Sequence, residues 1–158
     1  EEMHRGVRTT LKQKETNNQD GMDMTICVID PTTQTLEFAG AKNPLLYIQN
    51  NEILQIKGDK NGIGGKNDDQ KFTLHTIKID KPTWFYIFSD GYIDQFGGDN
   101  GRKFMIKTFR EMLLQNHHKS PVEQREILYK TMVEWMGTNY NQIDDILVIG
   151  FKLDFNQN

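Results

Sequence analysis

The stretch WFYIFSDGYIDQFGG, residues 84–98, decides how this chain is read. Residues 84–88 are all large and apolar, and the run stops abruptly at Ser89-Asp90-Gly91. A run that is apolar on both faces suits a central strand covered on both sides. Such a strand delivers Asp90 to its tip. Far downstream, NQIDDILVIGFKL, residues 141–153, has the reverse order: two adjacent acids, Asp144 and Asp145, precede an apolar strand. Acids at the end of one strand and the start of another can gather at one sheet edge.

Outward from residues 84–98 the pattern is that of one α+β domain over residues 1–158. Upstream, residues 24–29 form a β-rich run stopped by Asp30-Pro31, and Leu36 and Phe38 alternate with polar or small residues. Residues 45–48 and 53–56 are two further strands around a tight turn, QNNE. Connections this short leave no room for crossover helices, so the meander is antiparallel. Residues 72–79 are expected as the next strand. A helix over residues 3–15 is expected to turn Met3, Val7 and Leu11 inward at spacing four. Downstream, residues 104–115 place Met105, Phe109, Met112 and Leu113 on one helical stripe. Ser120-Pro121-Val122-Glu123 is a capping box with proline at the first helical position. The helix behind it carries Leu128, Met132, Trp135 and Met136, and Gly137 can end it.

Composition narrows the function classes. A chain of 158 residues, 36% apolar and 26% charged, has the make-up of a soluble globular domain with a real core. A net charge of -3 gives no general attraction to nucleic acid. No apolar stretch approaches the roughly 20 residues of a membrane span. Cys27 is the sole cysteine, which excludes an internal disulfide, and it reads as a small buried apolar residue. No signal sequence opens the chain, and the opening EEMHRG reads as trimmed.

Taken alone, Ser89-Asp90-Gly91 is also an ordinary turn, and Asp144-Asp145 an ordinary solvated strand entry. Further acids follow at Asp94 and Asp99, within a glycine-rich stretch. Adjacent carboxylates repel, and a cation relieves that repulsion. Hard divalent ions such as Mg²⁺ or Mn²⁺ take oxygen ligands, and an aspartate set without clustered His or Cys points to them and away from zinc. The four histidines contain no i, i+4 pair of the zinc type, and His117-His118 falls at a helix C-terminus. GDKNGIGG, within the loop 57–70, lacks the lysine-serine ending of a phosphate loop and is followed by a strand, so it reads as a flexible surface loop. Gly97, Gly98 and Asp99 open a glycine-rich segment, 97–101, expected to be mobile and to act as a flap over substrate.

DGMDMTICVID, LEFAGAKNPLLYI, GIGG, WFYIFSDGYIDQFGG and QIDDILVIGFKL stand in this order along nearly the whole chain. Together they resemble the serine phosphatase domain of the sporulation stage II protein E (SpoIIE) type, within the metal-dependent protein phosphatase (PPM) family. The resemblance implies a sandwich of mainly antiparallel sheets flanked by helices. It implies two Mg²⁺ or Mn²⁺ ions that activate a water for attack on phosphorus, with no catalytic residue beyond the metal ligands. Asp90 and Asp144 match family ligand positions, and Asp145 stands where relatives often carry Asn. The implied substrate is phosphoserine or phosphothreonine on a bacterial regulatory protein, such as an anti-sigma-factor antagonist, in the cytoplasm. A homodimer is a further expectation; contact with nucleic acid or membrane is not expected. The family's first metal motif, D-x-T-G-H-G, is missing from the residues up to Asp20. The chain is therefore expected to be the C-terminal part of a phosphatase domain, incomplete on its N-terminal side and inactive by itself. The other reading is a catalytically silent module of the same fold that binds partners or dimerises.

Overall fold

The computed structural model describes residues 1–65, 67 and 69–156; Lys66 and Asp68, in the loop 57–70, lie outside the described residues. In chain order the elements are α1 (Glu2–Thr10), β1 (Gly21–Met22), β2 (Met24–Asp30), β3 (Thr35–Ala41), β4 (Leu45–Gln49), β5 (Glu52–Ile56), β6 (Ile63–Gly64) and β7 (His75–Lys78). They continue as β8 (Thr83–Phe88), α2 (Asp90–Asp94), β9 (Phe96–Gly97), β10 (Arg102–Lys103), α3 (Ile106–Asn116), α4 (Pro121–Met136) and β11 (Val148–Leu153). The class is α+β, as expected. The chain forms two compact units, one of residues 1–45 and 56–80, the other of residues 46–55 and 81–158.

The first unit is built on the sheet β2-β3-β7, in which β3 pairs antiparallel with both neighbours. Leu36 and Phe38 of β3 are fully buried, whereas β2 is an edge strand with Ile26 and Val28 exposed. Cys27, also on β2, is half-buried. The strand expected over 72–79 is shorter, because Asp59 holds Thr73 out of the sheet. Its carboxylate accepts from the Thr73 amide at 2.7 Å and the Thr73 hydroxyl at 3.0 Å.

Helix α1 corrects a second expectation. Met3 and Leu11 are exposed, at 44% and 38%, while His4 and Arg8 are buried. These two share a face by the same spacing of four, rotated one residue around the helix. The polar face is turned inward because it answers backbone groups of the glycine-rich loop. The Gly64 amide donates to His4 Nδ1 at 3.1 Å, and His4 Nε2 lies 2.7 Å from the Asn67 carbonyl. Arg8 donates to the Gly65 carbonyl, and Gln13 accepts from the Gly65 amide at 3.0 Å. The loop is therefore not the free surface segment expected: Ile63 is buried, and β6 pairs with β1.

The second unit is built on the sheet β11-β8-β4-β5, which puts β8 in the interior as its two-faced apolar pattern required. Strand β11 runs antiparallel to it, with Val148 opposite Phe88 and Leu153 opposite Thr83. Asn50 and Asn51, both with positive φ, close the β4–β5 hairpin. Phe88, Tyr92, Phe104, Phe109, Leu113 and Met132 form the core, joined by ring contacts such as Phe88–Phe109 at 4.8 Å and Tyr92–Phe109 at 4.9 Å. Helix α3 starts two residues later than expected. Met105 sits ahead of it at φ 72° and is exposed, so the buried stripe reduces to Phe109 and Leu113. In α4 the capping box forms as its sequence specifies, with Ser120 and Glu123 bonded reciprocally.

Candidate metal centre

Ser89 follows β8 and is the N-cap of α2, so Asp90 is the first residue of a five-residue helix and not part of the ordinary turn that Ser89-Asp90-Gly91 spells when taken alone. The next two residues explain its placement. Tyr92 is 2% exposed, and its hydroxyl donates to the Leu128 carbonyl at 2.9 Å. Burying a ring of that size stabilises by roughly 2 kcal/mol. That anchor holds one face of α2 in the core and leaves Asp90 at the surface. Gly91 faces the loop ahead of β11: a Cβ there would stand 2.4 Å from the Asp145 carbonyl oxygen. Only glycine lets the two backbones come this close.

The same two segments are fastened by hydrogen bonds. The Ser89 hydroxyl donates to the Asp145 carbonyl at 2.7 Å and accepts from the Leu147 amide at 3.0 Å. The Ser89 amide donates to the Leu147 carbonyl at 3.0 Å. Asp90 and the Asp144-Asp145 pair thus lie on segments in direct backbone contact, although 54 positions (144 − 90) separate Asp90 from Asp144. All three acids are exposed. One oxygen of Asp144 accepts from the Asp145 amide at 2.7 Å.

Exposed aspartates, with no His or Cys beside them in the sequence, are donors for a hard divalent cation. Among the described residues, no group of three or more His, Cys, Asp or Glu side chains is arranged to hold an ion. Asp90, Asp144 and Asp145 have the chemistry of such ligands without the arrangement of a complete centre. Asp94 is engaged elsewhere, in an ion pair with Lys103 at 2.7 Å.

The glycine-rich segment departs from expectation. Strands β9 and β10 make a small hairpin, and Gly97 is buried against α4, where a Cβ would stand 2.1 Å from the Trp135 carbonyl oxygen. The Gly98 amide donates to that carbonyl at 2.8 Å. The glycines here permit close packing, the opposite of the loose packing expected of a flap. Asp99 is exposed at the tip.

Gln95 was not singled out in the sequence. Its side chain is completely buried and bonds to the backbone of residues 141 and 143, just ahead of Asp144. A buried amide next to a glycine-rich stretch leaves no periodic signal.

Among the described residues, no helix is long and apolar enough to cross a membrane. Comparison with curated proteins finds no match. Among solved structures, the chain is similar to the SiaA-PP2C domain of Pseudomonas aeruginosa. The two are 30% identical with a TM-score of 0.83 over 96% of this chain and 58% of that one. The phosphatase domain of the cell fate determinant SpoIIE from Bacillus subtilis shares the fold at 11% identity and TM-score 0.64, over 98% of this chain and 67% of that one. The serine/threonine phosphatase of S. agalactiae does so at 14% identity and TM-score 0.57, over 96% and 66%. The chain therefore spans little more than half the length of its 30%-identical relative. The family described as Stage II sporulation protein E (SpoIIE) matches residues 2–154, and the chain belongs to that family.

Proposed function

We propose that this chain is the C-terminal part of a metal-dependent serine/threonine protein phosphatase domain. Its residues Asp90 and Asp144, with Asp145 second to them, supply carboxylates to a centre for Mn²⁺ or Mg²⁺. The observation that carries the reading is the backbone contact between the two acid-bearing segments, Gly91 on Asp145. Membership of the SpoIIE family and the fold shared with serine/threonine phosphatases support it. A bound divalent cation supplies a water acidified toward neutral pH and positive charge for the phosphoryl oxygens. The protein's own part is to hold the carboxylates at a rigid sheet end, with Asp90 fixed by the Tyr92 anchor and Asp144-Asp145 by Ser89. The phosphorylated substrate is a bacterial regulatory protein in the cytoplasm, of the kind an anti-sigma-factor antagonist represents. The missing first metal motif leaves this chain alone without useful turnover.

The test is turnover of p-nitrophenyl phosphate and of a phosphoserine peptide in millimolar Mn²⁺. This chain is compared with a version extended upstream in its parent protein, each with and without Asp90→Ala. Activity in the extended protein only, abolished by Asp90→Ala, is the expected result. Equal rates in the two chains would overturn the partial-site reading, and an active Asp90→Ala protein would overturn the metal role.

A further inference from the structure

Helix α2 is short, yet each of its two flanking residues reaches the loop ahead of β11. Ser89, at its N-cap, holds Asp145 and Leu147, downstream of the acids' first member. Gln95, at its C-cap, holds the upstream side. Gln95 Nε2 donates to the Asn141 carbonyl at 2.9 Å and to the Phe96 carbonyl at 3.0 Å. Gln95 Oε1 accepts from the Ile143 amide at 3.2 Å. Residues 141 and 143 are thus bound to one side chain, immediately before Asp144. The Gln95 backbone is fixed in turn: its carbonyl accepts from Trp135 Nε1 at 3.1 Å and from the Phe104 amide at 3.0 Å.

The geometry points to Gln95 as a positioning residue that, with Ser89, splints the Asp144-Asp145 loop onto α2 and so sets these carboxylates relative to Asp90. This rests on the reading of the three acids as a cation site. The chemistry requires an amide. The side chain must donate to one carbonyl and accept from one N–H while fully out of water, and an ionised glutamate cannot donate, nor can leucine do either. A free loop entering β11 could place its carboxylates in many arrangements, and a cation would have to order it at a cost to affinity. Partners that orient ligands without touching the metal are typically worth about 10–100-fold in affinity.

The test is Mn²⁺ binding by calorimetry, with unfolding midpoints measured on the same proteins. Gln95→Leu removes the whole clamp. Ile143→Pro removes the N–H that Gln95 accepts and also fixes the backbone there, at an exposed loop residue, and covers the case in which Gln95→Leu does not fold. Gln124→Leu removes a buried amide whose bonds go to Tyr86, His117 and Lys119, none of them Gln95 or the acidic loop. The expected result is at least about a tenfold loss of Mn²⁺ affinity in Gln95→Leu and Ile143→Pro, with Gln124→Leu less stable but unchanged in affinity. Wild-type affinity in the two clamp variants, or an equal loss in Gln124→Leu, would overturn the assignment. Should wild type itself bind no Mn²⁺, the cation reading of this chain fails. The splint is then judged by amide exchange at Asp145 and Leu147. Faster exchange in both clamp variants, with β8 still protected, upholds it; unchanged exchange overturns it.

Discussion

Gly91 lies directly against Asp145, with room for no more than a hydrogen on its Cα: a Cβ would meet the Asp145 carbonyl oxygen at 2.4 Å and its carbonyl carbon at 3.0 Å. Both neighbours are backbone, which cannot swing away as a side chain can. Gly91→Ala is therefore expected to push the Asp144-Asp145 loop off α2 and to cost about 1–3 kcal/mol, the usual range for overpacking. Chemical denaturation measures the cost. A variant as stable as wild type would show that the two segments are free to separate.

Ser89 is the downstream half of the same attachment. Ser89→Ala deletes one donor and one acceptor, leaving the Asp145 carbonyl and the Leu147 amide to find water. The expected loss is about 1 kcal/mol, because both groups lie near solvent and are rehydrated. It should coincide with faster amide exchange at Leu147, which hydrogen-exchange mass spectrometry reads directly.

Gln124 holds the connection between α3 and α4. It is buried, accepts from the Tyr86 hydroxyl at 2.8 Å and donates to the Lys119 carbonyl at 2.9 Å. Gln124→Leu strands a tyrosine hydroxyl in the core and is expected to destabilise by about 1–3 kcal/mol. Combining it with Tyr86→Phe removes both partners and should recover part of that loss. A double variant as unstable as the sum of the singles would mean the bond carries no coupling.

The Glu123 carboxyl is held below its usual value of 4.5 by hydrogen bonds from Ser120, side chain first and backbone second. The fold thus prefers the ionised acid. Its contribution is fully present above about pH 4.5 and is lost as the pH falls through the lower folded-state value. Glu123→Gln keeps an acceptor but does not titrate. The difference in unfolding midpoint between wild type and this variant should shrink on acidification below that range, and a constant difference would sink the assignment.

Burial pushes the Cys27 thiol up to about 11 from 9.0. Little thiolate exists at pH 8, so modification by a thiol-specific disulfide reagent should be slow in the native protein and speed up on denaturation. Rapid native labelling at pH 8 would contradict this.

The order of strands and helices was legible in the sequence wherever apolar residues recur at a strand or helix period. The interior position of β8 followed from its two apolar faces, and the start of α4 from its capping box. The acids at residues 90, 144 and 145 were visible as strand-end residues. What only the tertiary structure decided was which polar groups turn inward. Met3, Val7 and Leu11 have the period of a buried face, yet His4 and Arg8 occupy it, because bonds to the backbone of Gly64, Gly65 and Asn67 outweigh the burial of a few methyl groups. Asp90 begins a helix and not a turn because Tyr92 finds the core and the Leu128 carbonyl. Gln95 carries no signal in the sequence, because its partners, the carbonyl of residue 141 and the amide of residue 143, arrive from 46 and 48 positions away. Apolar burial leaves a period in the chain, since it follows the geometry of each element. Polar satisfaction leaves none, because the partners are backbone groups brought near only by the fold.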